Sequence, residues 1–503
     1  MLNIISLYFI AFFVILAVVY YCIPKKLQWV LLLTGSLVFY LSSDIRFFIF
    51  LLMSIATTFF AAKILHKLNE KIAGNGETGN KKFMMQKRLV MIITLLLNVG
   101  TLAFLKYFNY FASMTSQLSQ MLGFDFQIAT FQLILPLGIS FYTLQVVGYC
   151  IDIYRGKYKP QDNFFKYMLF VSFFPQILQG PIARYDALAP QLVTEHKFNY
   201  TQVKFGLQLM LWGYFKKMVI ADRAAILVNE VFGNSPKYSG IVVVVASLFY
   251  ALQLYTDFSG CVDIVTGGAQ VLGIKLAPNF NKPYFATSIQ DFWHRWHISL
   301  SSWLRDYLYI PLGGSRKGKF RKHLNIMVVF FISGLWHGTG LHYIVWGLLH
   351  GGYQIAGALL MPIRQKTIQL FKIDTNTFSH RLFKTIFTFL LVDFAWIFFR
   401  ADSLRIAVKM ILSIGKPYMQ STPILQTLHS LGLNTANFNL LILCVFILIL
   451  ISYLQTKFSI REKLATQNLW FRWLIYFGAI TAVLIFGIYG PGFNSNQFIY
   501  LQF

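Results

Sequence analysis

The sequence predicts an all-α polytopic membrane protein, with about 10–12 transmembrane helices and further re-entrant or interfacial helices around a central passage. Three observations predict it. Of 503 residues, 56% are hydrophobic and only 12% charged, whereas soluble proteins carry about 25% charged residues. Mean hydropathy is +0.58. The apolar residues fall in long runs separated by basic loops. Together these exclude an ordinary soluble globule, a disordered chain and a fibre.

The net charge is 44 − 18 = +26. Because the lysines and arginines lie between apolar runs, they read as orientation signals. Attraction for membrane lipid headgroups or anionic substrates comes second, and nucleic acid is not an expected partner. Cys22, Cys150, Cys261 and Cys444 sit in apolar stretches without paired spacing, so they read as packing residues rather than disulfides or metal ligands.

Residues 4–22 form the first apolar run. It lacks a basic start and a small-residue cleavage site, so it reads as a retained span rather than a signal peptide. Lys25 and Lys26 follow it, which makes that loop cytoplasmic and puts the N-terminus outside. Runs at 29–41 and 47–62 lead out and back to a loop with seven basic residues between Lys63 and Arg88. Residues 89–111 cross again, and 133–151 return to Arg155, Lys157 and Lys159.

The middle is less regular. Pro175, Gly180 and Pro181 interrupt the run at 167–181, and the run at 207–220 is short and contains Lys216 and Lys217. Irregular backbone at membrane depth persists only where protein or water surrounds it, so broken or re-entrant helices are expected here. Later runs at 241–258, 324–336, 341–361, 385–399, 440–454 and 473–489 complete the pattern. The organisation expected is N-terminal helices over 1–130, a core over 131–400, and C-terminal helices with an external aromatic tail over 401–503. Both termini then lie outside a cell (cytoplasmic or inner) membrane.

Two histidine contexts stand out. In DFWHRWHISLSSWLRDYLYIPLGG, residues 291–314, Trp293, Trp296, Leu300, Trp303 and Tyr307 recur at helical spacing, with His297 beside that face. An interfacial aromatic belt explains the aromatics but not His294, Arg295 and His297 together. In ISGLWHGTG, residues 332–340, Trp336 and His337 close an apolar run among glycines that permit close approach. His337 is either catalytic or a hydrogen-bonding packing residue. Asp257 and Asp263 either line a cavity or join helices. Lys216, Lys217 and Arg223 either meet phosphates of an anionic donor or anchor the membrane boundary. No HExxH or carboxylate cluster suggests a metal, and no GxSxG serine suggests a nucleophile.

The series FYTLQVVGYCIDIYRG, FFPQILQGPI, YTDFSGCVDI, the 291–314 block, GLWHG and WGLLHG resembles the membrane-bound O-acyltransferase family. It is most similar to the membrane subunits of bacterial alginate, peptidoglycan and exopolysaccharide O-acetyltransferases. The likeness runs over residues 135–400 and extends to the terminal FIYLQF. It implies that His337 is the catalytic histidine and His297 the second active-site histidine. It implies an enzyme that moves an acyl group, acetyl above all, from cytoplasmic acetyl-CoA across the membrane. The acceptor implied is an extracytoplasmic polysaccharide or a partner O-acetyltransferase, with no permanently bound cofactor. Two alternatives stand beside it: transfer of D-alanyl or acyl groups from a carrier protein to teichoic acid, and a polysaccharide export component. Tyr500 in the tail reads either as an anchor or, by the same resemblance, as an acyl relay.

Overall fold

The apolar runs form helices, as backbone groups in hydrocarbon must satisfy one another locally. In the computed structural model, which describes residues 2–74, 77–124, 126–131, 135–177, 179–417 and 431–489, no strand occurs among the described residues. Six helical stretches are long and apolar enough to cross a membrane: Ile45–Gly74, Lys81–Met121, Ile241–Val271, Phe378–Arg400, Thr435–Leu454 and Leu469–Phe486. The pair Leu341–Leu359 and Met361–Leu370, bent by 48°, makes a seventh if counted as one span. This is fewer than the 10–12 spans expected, and length accounts for part of the difference. Leu7–Cys22 and Ile139–Tyr154 have 16 residues each and Gln28–Leu41 has 14. Sixteen residues reach only about 24 Å at 1.5 Å per residue, short of a hydrocarbon layer of about 30 Å.

The chain divides into two compact units, residues 1–203 with 268–277, and 204–267 with 278–503. In the first, the run at 167–181 is interrupted as expected: Phe164–Ser172 stops, and a single turn, Phe174–Ile177, follows. Buried polar pairs hold this region. The Thr58 and Tyr167 hydroxyls lie 2.8 Å apart, and Gln145 donates to the Phe170 carbonyl at 2.8 Å.

In the second unit, the expected break near Lys216 is absent. Tyr200–Tyr214 passes through a π-helical segment, Phe215–Ala221, into Asp222–Gly233. The wider π turn keeps the chain helical where a break was expected. It packs tightly on Ile241–Val271: a Cβ on Gly213 would stand 2.6 Å from the Gly260 carbonyl oxygen. Of the cysteines, Cys150, Cys261 and Cys444 are buried as expected, whereas Cys22 is exposed. It lies on the last turn of Leu7–Cys22, where Val14, Ile15 and Val18 are exposed too.

Candidate active site

His337 is the last residue of the helix Gly318–His337, which packs antiparallel against Leu341–Leu359 across the short link at 338–340. The packing leaves no room for side chains at the crossing. A Cβ on Gly347 would meet the Phe330 carbonyl oxygen at 2.2 Å, and one on Gly334 the Tyr343 carbonyl oxygen at 2.5 Å. Backbone cannot yield as a flexible side chain would, so these two glycines fix the height of His337. Its imidazole is 3% exposed. Three rings surround it edge to face: Trp336 at 4.9 Å, Trp346 at 5.0 Å and Phe399 at 5.2 Å between centroids.

His297 lies where the expected single helix over residues 291–307 is interrupted. Ile289–Arg295 ends, His297 takes a left-handed conformation (φ 45°, ψ 53°), and Ile298–Leu304 begins. A non-glycine residue there is strained, and such strain collects at functional sites. Asp291 and Arg295, four residues apart, pair at 2.7 Å. Beyond Leu304 the chain becomes π-helical over Arg305–Tyr309, and Arg305 pairs with Asp306 at 2.8 Å.

The strain at His297 is held by Asn279, a residue that sequence reasoning missed. The Asn279 side-chain oxygen accepts from the Ser299 backbone N–H at 3.1 Å and the Ser299 hydroxyl at 2.9 Å. The Asn279 backbone carbonyl accepts from the Ile298 N–H at 3.0 Å. His297 Nδ1 lies 3.3 Å from the same side-chain oxygen. A backbone N–H can only donate, so this atom of Asn279 is the oxygen, and Nδ1 therefore carries the imidazole proton. That leaves the lone pair on Nε2. Burial pushes the pKa of His297 down to about 3, so the ring is neutral at physiological pH.

One aromatic wall carries both histidines. The Trp336 ring stands 6.2 Å from His297 and 4.9 Å from His337. Behind it lie Trp346, Trp396 and Trp293, together with a third histidine, His350, which sequence reasoning met only as part of WGLLHG. His350 is fully buried, and its Nδ1 accepts from Trp293 Nε1 at 3.3 Å.

The charged candidates form a separate buried group. Lys217 pairs with Asp257 at 2.5 Å and Asp222 at 2.8 Å. Lys216 pairs with Asp263 and donates to the Ser259 hydroxyl, both at 2.8 Å. Arg223 donates to the carbonyls of Val219 and Phe486 and to the Asn437 side chain. Among the described residues no group of histidine, cysteine and carboxylate side chains could hold a metal ion. Tyr500 lies outside the described residues.

Comparison with known proteins adds the decisive observation. Residues 161–399, which enclose both histidines and the wall, match the model of the membrane-bound O-acyltransferase family. The chain is 36% identical over 409 residues to a peptidoglycan O-acetyltransferase of Helicobacter pylori, covering 76% of this chain and 72% of that protein. The chain belongs to the membrane-bound O-acyltransferase family. It is also 34% identical over 395 residues to an Azotobacter vinelandii protein named "Probable alginate O-acetylase AlgI", covering 78% of this chain and 73% of that one. A teichoic acid D-alanyltransferase of Bacillus subtilis is 31% identical over 236 residues, covering 42% of this chain and 56% of that one. As a membrane-bound O-acyltransferase, the chain is a multi-pass membrane enzyme that transfers an acyl group to oxygen.

If Asn279 is what holds His297, the Asn279→Ala variant should lose turnover while its membrane insertion is unchanged. Combined with His297→Ala it should lose little more than His297→Ala alone, since both changes remove one unit. Measured rates that simply multiply would separate the two residues.

Proposed function

We propose that this enzyme takes an acetyl group from cytoplasmic acetyl-CoA and delivers it across the bilayer for O-acetylation of a cell-envelope or extracellular polysaccharide. Delivery is direct or through a partner O-acetyltransferase. The observation that carries the reading is the pair of buried histidines on one aromatic wall, inside the segment shared with relatives named for polysaccharide O-acetylation. His337 is the general base. It takes the proton of the acceptor hydroxyl as that oxygen bonds to the acyl carbon. The carbon–sulfur bond then breaks, and the coenzyme A thiolate recovers the proton from the imidazolium. His297, oriented by Asn279, polarises or orients the acceptor.

Tyr500 fits the same chemistry as a relay, a phenol that receives the acyl group and passes it to the next hydroxyl. Lys216 and Lys217 we assign to holding helices together rather than to phosphate, because an incoming phosphate would have to displace the carboxylates already paired with them, of which Asp222 and Asp257 are buried. The likeness to a teichoic acid D-alanyltransferase favours a second reading, transfer of a D-alanyl group from a carrier protein.

Purified protein given acetyl-CoA labelled in the acetyl group tests the first reading. Release of coenzyme A with label moving to a polysaccharide or protein hydroxyl is expected. No turnover with acetyl-CoA, and turnover with a D-alanyl carrier protein, would replace it with the second.

A further inference from the structure

As the hydroxyl oxygen adds to the acyl carbon, negative charge collects on the carbonyl oxygen, and a fixed hydrogen-bond donor at that point is a major source of rate. The reading of His337 as base leaves this donor unnamed. Trp346 has the required features. Its ring is 1% exposed and stands at 88° to the His337 ring, 5.0 Å away. It stacks on Trp396 at 5.7 Å and meets Phe399 at 5.0 Å. The next residue, Gly347, is pinned against the Phe330 carbonyl, so the backbone carrying the indole has no freedom to shift. The Trp346 Nε1–H is buried and has no acceptor among the described residues. Buried donors in native proteins are nearly always partnered, and one that is not calls for an explanation.

His350 Nε2 is likewise buried without a partner among the described residues. Its ring is sandwiched between Phe292 and Phe330, each at 6.2 Å. Trp396 Nε1 is also on that footing, and of the three rings Trp346 is the one that meets His337, at 5.0 Å.

We infer that the Trp346 Nε1–H donates to the acyl carbonyl oxygen and stabilises it as an oxyanion. This rests on His337 being the base. The hydroxyl proton goes to His337, the new carbon–oxygen bond forms, and the carbonyl π pair moves onto the oxygen held by Trp346. When that pair returns, the carbon–sulfur bond breaks and the thiolate leaves with the proton from His337.

Trp346→Phe keeps an aromatic ring and removes the donor. A second variant carries 3-benzothienylalanine at position 346, which keeps the bicyclic shape and replaces N–H by sulfur. Coenzyme A release from acetyl-CoA is followed in both, with thermal unfolding as the check on folding. In every folded variant, kcat should fall about 10²–10³-fold with the KM for acetyl-CoA little changed. Wild-type kcat in the benzothienyl variant would overturn the inference, whatever the phenylalanine variant does, because shape alone would then suffice. A rise in KM with kcat intact would also overturn it. His337→Ala is run alongside. If it keeps turnover, the base assignment fails; if it is inactive while both Trp346 variants are fully active, only the present inference fails.

Discussion

Replacing His337 with alanine is expected to lower acyl transfer by about 10²–10⁴-fold, the range a general base contributes. Membrane insertion and thermal stability should change little. The reason is geometric: the ring closes a helix end and is held by edge contacts from Trp336, Trp346 and Phe399. Trp346 and Phe399 still pack on one another without it, and Trp346 remains stacked on Trp396. Single-turnover coenzyme A release from purified variant protein measures the effect. A well-folded alanine variant with wild-type release would remove His337 from the chemistry.

Replacing Lys217 with methionine is expected to do the opposite, damaging the fold first. Removing the ammonium strands two carboxylates, Asp222 and Asp257, which are 6% and 2% exposed. Breaking a buried pair on one side costs about 3–5 kcal/mol, because the remaining charge has lost its compensation. Adding Asp222→Asn and Asp257→Asn to Lys217→Met should recover much of that loss, since neutral amides carry no stranded charge. Thermal unfolding in detergent reads both steps. An unfolding temperature unaffected by Lys217→Met would mean the cluster does not hold these helices together.

What the sequence discloses depends on how local the signal is. Membrane residence follows from composition, and the basic loops follow one another along the chain, so both are readable without a fold. His337 and His297 are marked by their neighbours in WHG and RWH. Asn279 carries no such mark: it precedes His297 by eighteen positions and meets it only because the chain returns across residues 279–299. Lys216 and Lys217 suggested phosphate contacts because their partners Asp257 and Asp263 lie some forty residues away, on another helix. The aromatic spacing through residues 293–307 is helical and predicted one helix, yet the backbone turns left-handed at His297. Hydropathy likewise counts apolar runs but not their helical length, and the fifth run carries a helix of just 16 residues, Ile139–Tyr154.

The proposed function requires that the acyl group cross the bilayer while coenzyme A does not. Purified protein in sealed vesicles of oriented insertion, with acetyl-labelled acetyl-CoA on the side of the basic loops and a hydroxyl acceptor on the other, tests it most directly. The expected result is labelled acceptor on the far side and free coenzyme A retained on the near side, with neither formed by His337→Ala. Label appearing only on near-side acceptor, or far-side labelling that persists in His337→Ala, would contradict it.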